Sequence, residues 1–241
     1  MIRIFENKDV LNTELADYFV SKAQQAILDK GKFTVALTGG SSPAGLYQLL
    51  ASDSYREKVD WSKVFIFWGD ERWVPLDDDK SNAGAAFDDL LNHIPVPKDQ
   101  IFPMWKADIS AQDYAKEYQA ILEQHLTNGE EFDLILLGMG DDGHTASLFP
   151  NQDIILKEKD KKVAAYFLAP QDMYRITLTA PLINKAKNIV FLVFGDKKAE
   201  ALYQVLQGES NSNLYPSQLI TRDGQKVTWM VDKDAAKKLN Q

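Results

Sequence analysis

Residues 33–51 read FTVALTGGSSPAGLYQLLA, and this stretch decides the fold class. A mostly apolar run at 33–37 ends in a turn with two glycines, and Pro43 then begins a helical pattern. A run in which polar and apolar residues do not alternate is typical of a strand that is covered on both faces. Proline suits the first turn of a helix, because the N–H that it lacks has no partner there anyway. The stretch therefore predicts a strand, a tight turn and a helix, which is the repeating unit of an α/β protein.

The same alternation of short strands and longer helices continues on both sides of this stretch. Strands are predicted at 33–37, 64–68, 134–137, 163–168, 176–178, 189–194 and 227–231. Helices are predicted at 10–28, 43–51, 83–91, 111–126, 197–206 and 233–239. This order indicates an α/β fold with a mostly parallel sheet and helices on both faces. No stretch is long enough for an interdomain linker, so we expect residues 1–241 to form a single domain.

The bulk composition argues against several classes of protein. Of the 241 residues, 45% are hydrophobic and 26% are charged, which is typical of a globular protein with a large core. The formal net charge of −8 argues against nucleic acid and anionic membranes as partners. Without cysteine, the chain forms no disulfide, thiolate metal site or cysteine nucleophile. It has no recognisable signal peptide and no apolar run of about 20 residues, so we expect a cytoplasmic protein.

Ligands of a parallel sheet bind outside the carboxyl ends of its strands, so we expect chemistry in the loops there. The first such loop is the turn formed by Gly39, Gly40, Ser41 and Ser42. Glycine lets the backbone approach a ligand closely, and the free N–H groups of a helix start attract a phosphate. The turn therefore predicts a phosphate site. The alternative is a plain strand-to-helix turn with a serine cap.

The second loop, residues 69–75, reads GDERWVP and follows the predicted strand at 64–68. The guanidinium of Arg72 can bind a phosphate through two N–H groups, and Asp70 can hold that arginine or a sugar hydroxyl. A surface cluster of salt bridges is the alternative interpretation. The pair Ser81 and Asn82 follows, and it is more typical of a helix cap than of a ligand site.

The third loop, residues 138–150, reads GMGDDGHTASLFP and is the most informative part of the sequence. Three glycines bend the backbone and present His144, and the neighbouring Asp142 can orient the imidazole and stabilise its charged form. This is what a base that activates water near neutral pH requires. The loop is not a dinucleotide fingerprint, because no helical pattern opens at the third glycine.

Two further segments contribute candidate cations. Lys197 and Lys198 fall in the first turn of the helix predicted at 197–206, where the helix dipole disfavours positive charge. A bound anion would explain that placement, and a solvated basic pair is the alternative. Arg175 directly precedes the strand predicted at 176–178. The 3 histidines are dispersed without ligand spacing, so we expect no metal.

Together these segments resemble the 6-phosphogluconolactonase family, in family order over most of the chain. The string at 138–150 carries the resemblance most specifically, with support from the segments at 38–43, 68–75, 175–179 and 195–202. The resemblance implies a single Rossmann-like three-layer α/β/α domain that hydrolyses 6-phospho-D-glucono-1,5-lactone without a cofactor. It implies that His144 is the base, assisted by Asp142, and that Arg72 and Lys198 bind the phosphate near the turn at 39–42. Asp141 departs from the family, where many relatives carry proline.

Two alternatives remain at this point. Glucosamine-6-phosphate deaminases share the fold, but they carry an acidic residue shortly after the histidine, and residues 145–149 read TASLF here. A non-catalytic sugar-phosphate sensor usually carries an additional DNA-binding domain, which this chain lacks. We therefore expect a phosphorylated sugar lactone as the partner, no nucleic acid, no membrane, and a monomer or a weak homo-oligomer.

Overall fold

A computed structural model describes residues 1–126, 131–220 and 227–240. The strands are β1 (Ile2–Phe5), β2 (Phe33–Leu37), β3 (Val64–Trp68), β4 (Asp70–Arg72), β5 (Leu134–Leu137), β6 (Val163–Leu168), β7 (Met173–Leu178), β8 (Ile189–Val193) and β9 (Val227–Asp232). The helices are α1 (Lys8–Lys30), α2 (Ala44–Ala51), α3 (Asp53–Arg56), α4 (Asn82–Asp89), α5 (Ala111–His125), α6 (Asp153–Leu156), α7 (Ala180–Ile183), α8 (Ala199–Gln207) and α9 (Lys233–Ala236).

Six strands form a parallel sheet in the order β1-β9-β8-β5-β2-β3. Every residue of β2, β5 and β8 is buried, which is why these strands are apolar without alternation. Helices flank this sheet, and α1 packs against both β2 and β9. The predicted α/β fold with a mostly parallel sheet is confirmed.

The strands predicted at 163–168 and 176–178 do not join the parallel sheet. They are β6 and β7, which pair antiparallel with each other and with β4 in a separate sheet of order β4-β7-β6. No long helix separates β6 from β7, and Asp172 reverses the chain between them with a positive φ of 48°. The interpretation of residues 69–75 as a loop was wrong in part, because Asp70–Arg72 form strand β4.

The helix boundaries differ from the predicted ones for local reasons. Asn7 caps α1 through its side chain and Gly31 ends it with a positive φ of 78°, so the helix extends beyond the predicted 10–28. The helix predicted at 197–206 begins later, because Asp196–Lys198 form a 3-10 turn before α8. The edge strand β1 was not predicted; two of its four residues are exposed and the other two are half-buried.

The parallel register brings the loops at the carboxyl ends of the strands together. Leu37 at the end of β2 pairs with Trp68 at the end of β3. Leu137 at the end of β5 pairs with Phe191 of β8, and β5 also pairs with β2. The loops that begin at residues 38, 69, 138 and 194 therefore leave the sheet at the same edge.

Candidate active site

One cavity at this edge of the parallel sheet collects the predicted site residues. It is lined by Thr38, Gly39, Gly40, Ser41, Ser42, Asp70, Arg72, Asn82, Gly138, Met139, Gly140, His144, Ala146, Phe149, Gln171, Arg175 and Lys198. Every predicted site residue except Asp142 belongs to this lining. Asp142 is hydrogen-bonded to His144, so it adjoins the cavity through that imidazole.

Asp142 holds the imidazole of His144 through the ring atom Nδ1. The Oδ1 atom of Asp142 lies 2.6 Å from Nδ1 and 3.1 Å from the backbone nitrogen of His144. Burial by itself would raise the pKa of the Asp142 carboxyl, but the hydrogen bond and the charge of His144 outweigh it and lower that pKa. An ionised carboxylate can only accept, so Nδ1 carries a proton in both forms of the ring, and in the neutral form Nε2 keeps a lone pair. Nε2 forms no hydrogen bond within the described ranges, and it can therefore accept a proton from water.

Phe149 and two glycines fix the imidazole in this position. The Phe149 ring stacks on the His144 ring, with centroids 4.1 Å apart and an interplanar angle of 22°. A Cβ atom at Gly140 would lie 2.0 Å from Nδ1 of His144 and 2.5 Å from Oδ1 of Asp142, so the pair fits only beside glycine. Gly143 has a φ of 78° and turns the loop back, so that its N–H donates to the Gly140 carbonyl at 3.1 Å.

Two arginines face each other across the antiparallel sheet. Arg72 on β4 is the register partner of Arg175 on β7. Like charges directly opposite each other are destabilising, so this pair favours a bound anion. Arg175 is buried, its guanidinium lies 5.6 Å from the centre of the Phe149 ring, and its Nε has no partner in the described residues. Burial lowers the pKa of Arg175, and the Asp70 carboxylate opposes this effect.

The two carboxylates of β4 are buried, so the alternative of a surface salt-bridge cluster is wrong. The Asp70 side chain accepts a hydrogen bond from the Ser147 hydroxyl at 2.6 Å. Glu71 is fully buried and fixes the start of α4. It accepts hydrogen bonds from the backbone N–H groups of Arg72, Asn82 and Ala83 and from the hydroxyl of Ser81. Burial raises the pKa of Glu71 to about 7, although the backbone N–H groups favour its charged form.

The turn at 39–42 is shaped by its glycines and by Asn82. Gly40 has a φ of 76°, and a Cβ at Gly39 would lie 1.9 Å from the Asn82 amide. The Asn82 amide nitrogen donates to the Asp70 carbonyl at 2.9 Å, whereas its buried Oδ1 has no partner in the described part of the chain. No side chain of the described residues caps α2, so a serine cap does not occupy the N–H groups at its start. These N–H groups are therefore available to an anion.

Lys198 lines the same cavity. It precedes α8 as the N-cap residue, and its Nζ lies 2.6 Å from Oδ1 of Asp141. The neighbouring Lys197 is exposed and does not line the cavity. The alternative of a solvated pair therefore holds for Lys197 and fails for Lys198.

Known proteins share this arrangement of fold and sequence. The family described as glucosamine-6-phosphate isomerases/6-phosphogluconolactonase matches residues 6–229. This chain belongs to that family. It is 36% identical to the 6-phosphogluconolactonase of Synechocystis sp., over 99% of this chain and 98% of that protein. It is 37% identical to the probable chloroplastic 6-phosphogluconolactonase 3 of Oryza sativa subsp. indica, over 98% of this chain and 75% of that protein.

A solved 6-phosphogluconolactonase from Trypanosoma brucei has the same architecture. Its structure superposes with a TM-score of 0.85 and 27% sequence identity, over 100% of this chain and 98% of that one. The predicted family membership is confirmed, and with it the three-layer α/β/α fold.

Some cavity residues of this family member were not predicted. Ser81 caps α4 as expected, because its hydroxyl accepts from the Gly84 N–H at 2.9 Å, but Asn82 beside it lines the cavity. The sequence signal that could have identified Asn82 was its polar side chain directly after a helix cap. Gln171 lines the cavity from the turn between β6 and β7 and accepts a hydrogen bond from Arg175. No sequence pattern indicates that Gln171 lines the cavity, because the turn that carries it is placed by the pairing of β7 with β4.

Other features of the described ranges bear on the class of protein. Residues 1–126, 131–220 and 227–240 contain no group of three or more His, Asp and Glu side chains arranged to hold a metal ion. Within the same ranges, no helix combines the length and the apolar character needed to span a membrane. His93 and His125 do not line the cavity.

Proposed function

We propose that this chain hydrolyses 6-phospho-D-glucono-1,5-lactone to 6-phospho-D-gluconate in the pentose phosphate pathway. One observation carries the proposal. An imidazole held at Nδ1 by a carboxylate lines the same cavity as Arg72, Arg175 and Lys198. Such a cavity combines a base for activating water with cations for a phosphorylated substrate. The similarity to proteins named 6-phosphogluconolactonase supports this choice of lactone.

The substrate phosphate is proposed to bind between the turn at 39–42, Arg72 and Lys198. The hydroxyls of Ser41 and Ser42 and the N–H groups of the glycine turn supply neutral donors at the start of α2. A phosphate dianion beside Arg72 also removes its repulsion from Arg175, its register partner on β7. Asp70 and Arg175 line the remaining wall, and we assign them to contacts with the sugar ring.

His144 is proposed to act as general base and then as general acid. Its Nε2 removes a proton from water while the water oxygen attacks the C1 carbonyl of the lactone. Asp142 stabilises the imidazolium that forms, as its hydrogen bond to Nδ1 allows. The tetrahedral intermediate then expels the ring oxygen, which takes the proton from Nε2 and becomes the C5 hydroxyl. The new carboxylic acid loses its own proton to solvent.

The decisive experiment is the replacement of His144 by alanine. Loss of a general base lowers turnover by about 10²- to 10⁴-fold, while binding of the phosphate persists because its ligands are unchanged. Turnover is measured with freshly generated lactone in a coupled assay, after subtraction of spontaneous hydrolysis. His93→Ala is the matched control, since His93 is exposed and outside the cavity. Near-normal turnover in His144→Ala contradicts the role of His144, and no turnover by the wild type contradicts the function.

Lactone hydrolysis fits this cavity better than aldose–ketose isomerisation of an amino sugar. Isomerisation needs an acid to shuttle a second proton, and Asp70 is the acidic residue in the described lining. Its Oδ2 is already engaged by the Ser147 hydroxyl. Ammonia release from glucosamine 6-phosphate would support the deaminase instead, and we expect none.

We further propose that the chain works in the cytoplasm as one domain, without cofactor, as a monomer or weak homo-oligomer. One contiguous hydrophobic cluster that extends from Leu11 to Ala236 supports the single domain. The net charge of −8 supports the proposal that nucleic acid is not a partner. Size-exclusion chromatography with light scattering tests the oligomeric state, and retention of activity in a chelator tests independence from metal.

A further inference from the structure

Lys198, one of the proposed phosphate ligands, is already bound to a carboxylate. Its Nζ lies 2.6 Å from Oδ1 of Asp141, with the lysine side chain 23% exposed and the aspartate side chain 58% exposed. Asp141 lies in the loop that presents His144, whereas Lys198 follows β8. The ion pair therefore joins two loops of the site, and Lys198 is the member of the pair that lines the cavity.

A phosphate that approaches Lys198 meets this pair. If Asp141 stays, its negative charge faces the phosphate dianion at short range, which is repulsive. If Asp141 moves into solvent, the Lys198 ammonium exchanges the carboxylate for a phosphate oxygen. The energy of the ion pair between Lys198 and Asp141 is then lost, and this loss is subtracted from the binding energy of the phosphate. Both routes weaken the binding of any anion that uses Lys198. The half-exposed aspartate is free to swing outward, because its one ion pair among the described residues is with Lys198.

We propose that Asp141 sets the affinity of this site for phosphate by competing with the ligand for the Lys198 ammonium. The inference rests on the proposed function, since it takes Lys198 as a ligand of the substrate phosphate. The phosphate does not react, so a contact to it stabilises substrate, transition state and product alike. Asp141 therefore raises KM and speeds the release of the phosphorylated product, whereas it leaves the chemical step unchanged.

The test is Asp141→Asn, which keeps the size of the side chain and removes its charge. An exposed ion pair is worth up to about 1 kcal/mol, so the Kd for inorganic phosphate is expected to fall about two- to five-fold. Titration calorimetry at about 0.15 M salt, where distant charges are screened, measures this Kd. In the lactone assay, KM and the inhibition constant of 6-phosphogluconate fall by the same factor, and kcat does not rise.

Two comparisons separate competition for Lys198 from a general loss of negative charge. Glu200→Gln also removes one negative charge, two residues after Lys198, from a carboxylate paired with Lys238 at 2.8 Å. It is expected to change the phosphate Kd less than Asp141→Asn does. In a Lys198→Ala background, Asp141→Asn is expected to have no larger effect than Glu200→Gln.

The inference is overturned if Asp141→Asn leaves the phosphate Kd unchanged, or if its effect is equally large without Lys198. The calorimetric measurement needs no lactone hydrolysis. If the wild type binds phosphate through Lys198 but does not hydrolyse the lactone, the proposed function is overturned. The role of Asp141 is then still decided by the calorimetric measurement.

Discussion

Gly140→Ala tests whether the placement of the imidazole controls turnover. The added Cβ would lie 2.0 Å from Nδ1 of His144 and 2.5 Å from Oδ1 of Asp142. The ring must move by about 1.4 Å to reach an ordinary contact distance of 3.4 Å. The same methyl group pushes against the carboxylate, so the hydrogen bond that orients the ring cannot keep its 2.6 Å length.

The expected loss follows from this displacement. A misplacement of about 1 Å costs on the order of 100-fold in rate, which corresponds to about 2.7 kcal/mol in the activation free energy. We therefore expect kcat to fall about 100-fold in Gly140→Ala. KM and the inhibition constant of 6-phosphogluconate are expected to stay near the wild-type values, because the proposed phosphate ligands lie on other loops. Overpacking costs about 1–3 kcal/mol of stability, so urea unfolding must show that the variant is folded under assay conditions.

Gly69→Ala is the matched control for the added methyl group. Gly69 follows β3 directly and is buried, whereas Gly140 is half-buried in the loop after β5. A Cβ at Gly69 meets the Leu37 carbonyl at 3.6 Å and Leu137 Cδ2 at 3.8 Å, which are ordinary contacts. The control is expected to retain kcat within about three-fold, since it adds a contact without overlap. The reasoning fails if Gly140→Ala turns over at the wild-type rate, or if Gly69→Ala loses as much activity.

Two further predictions concern binding and stability. Arg72→Ala is expected to raise KM by about 10- to 100-fold with a smaller change in kcat. The reason is that the substitution removes a charged hydrogen bond to the phosphate, which is worth about 1.5–3 kcal/mol. An unchanged KM would mean that the phosphate binds elsewhere. The folded protein keeps the proton of Glu71 up to a pKa of about 7, whereas the unfolded chain loses it near 4.5, so this group's contribution to stability falls as the pH rises from about 4.5 to 7. Urea unfolding is measured for the wild type and for Glu71→Gln at pH 5 and at pH 8. Between the two pH values, the unfolding free energy of the variant relative to that of the wild type is expected to rise by up to about 3 kcal/mol. A difference in unfolding free energy that does not change with pH contradicts this prediction.

The sequence by itself determined the parallel sheet and the identity of most candidate site residues. Strands that are buried on both faces of a parallel sheet are mostly apolar, so the runs at 33–37, 134–137 and 189–194 were recognisable without a structure. The glycine-rich loop around His144 was recognisable because bending the backbone beside an imidazole needs residues without a side chain.

Only the tertiary structure decided how the charges of the site are paired. Asp70 and its neighbour Glu71 are both buried: Glu71 accepts from the first N–H groups of α4, whereas Asp70 lines the cavity and accepts from the Ser147 hydroxyl. Arg72 opposes Arg175 because β4 and β7 are antiparallel partners separated by about a hundred positions along the chain. The pairing of Lys198 with Asp141 likewise joins loops after two different strands. Local sequence fixes the period of a strand or helix, whereas the partner of a charge depends on which distant segments the folded chain brings within a few ångströms.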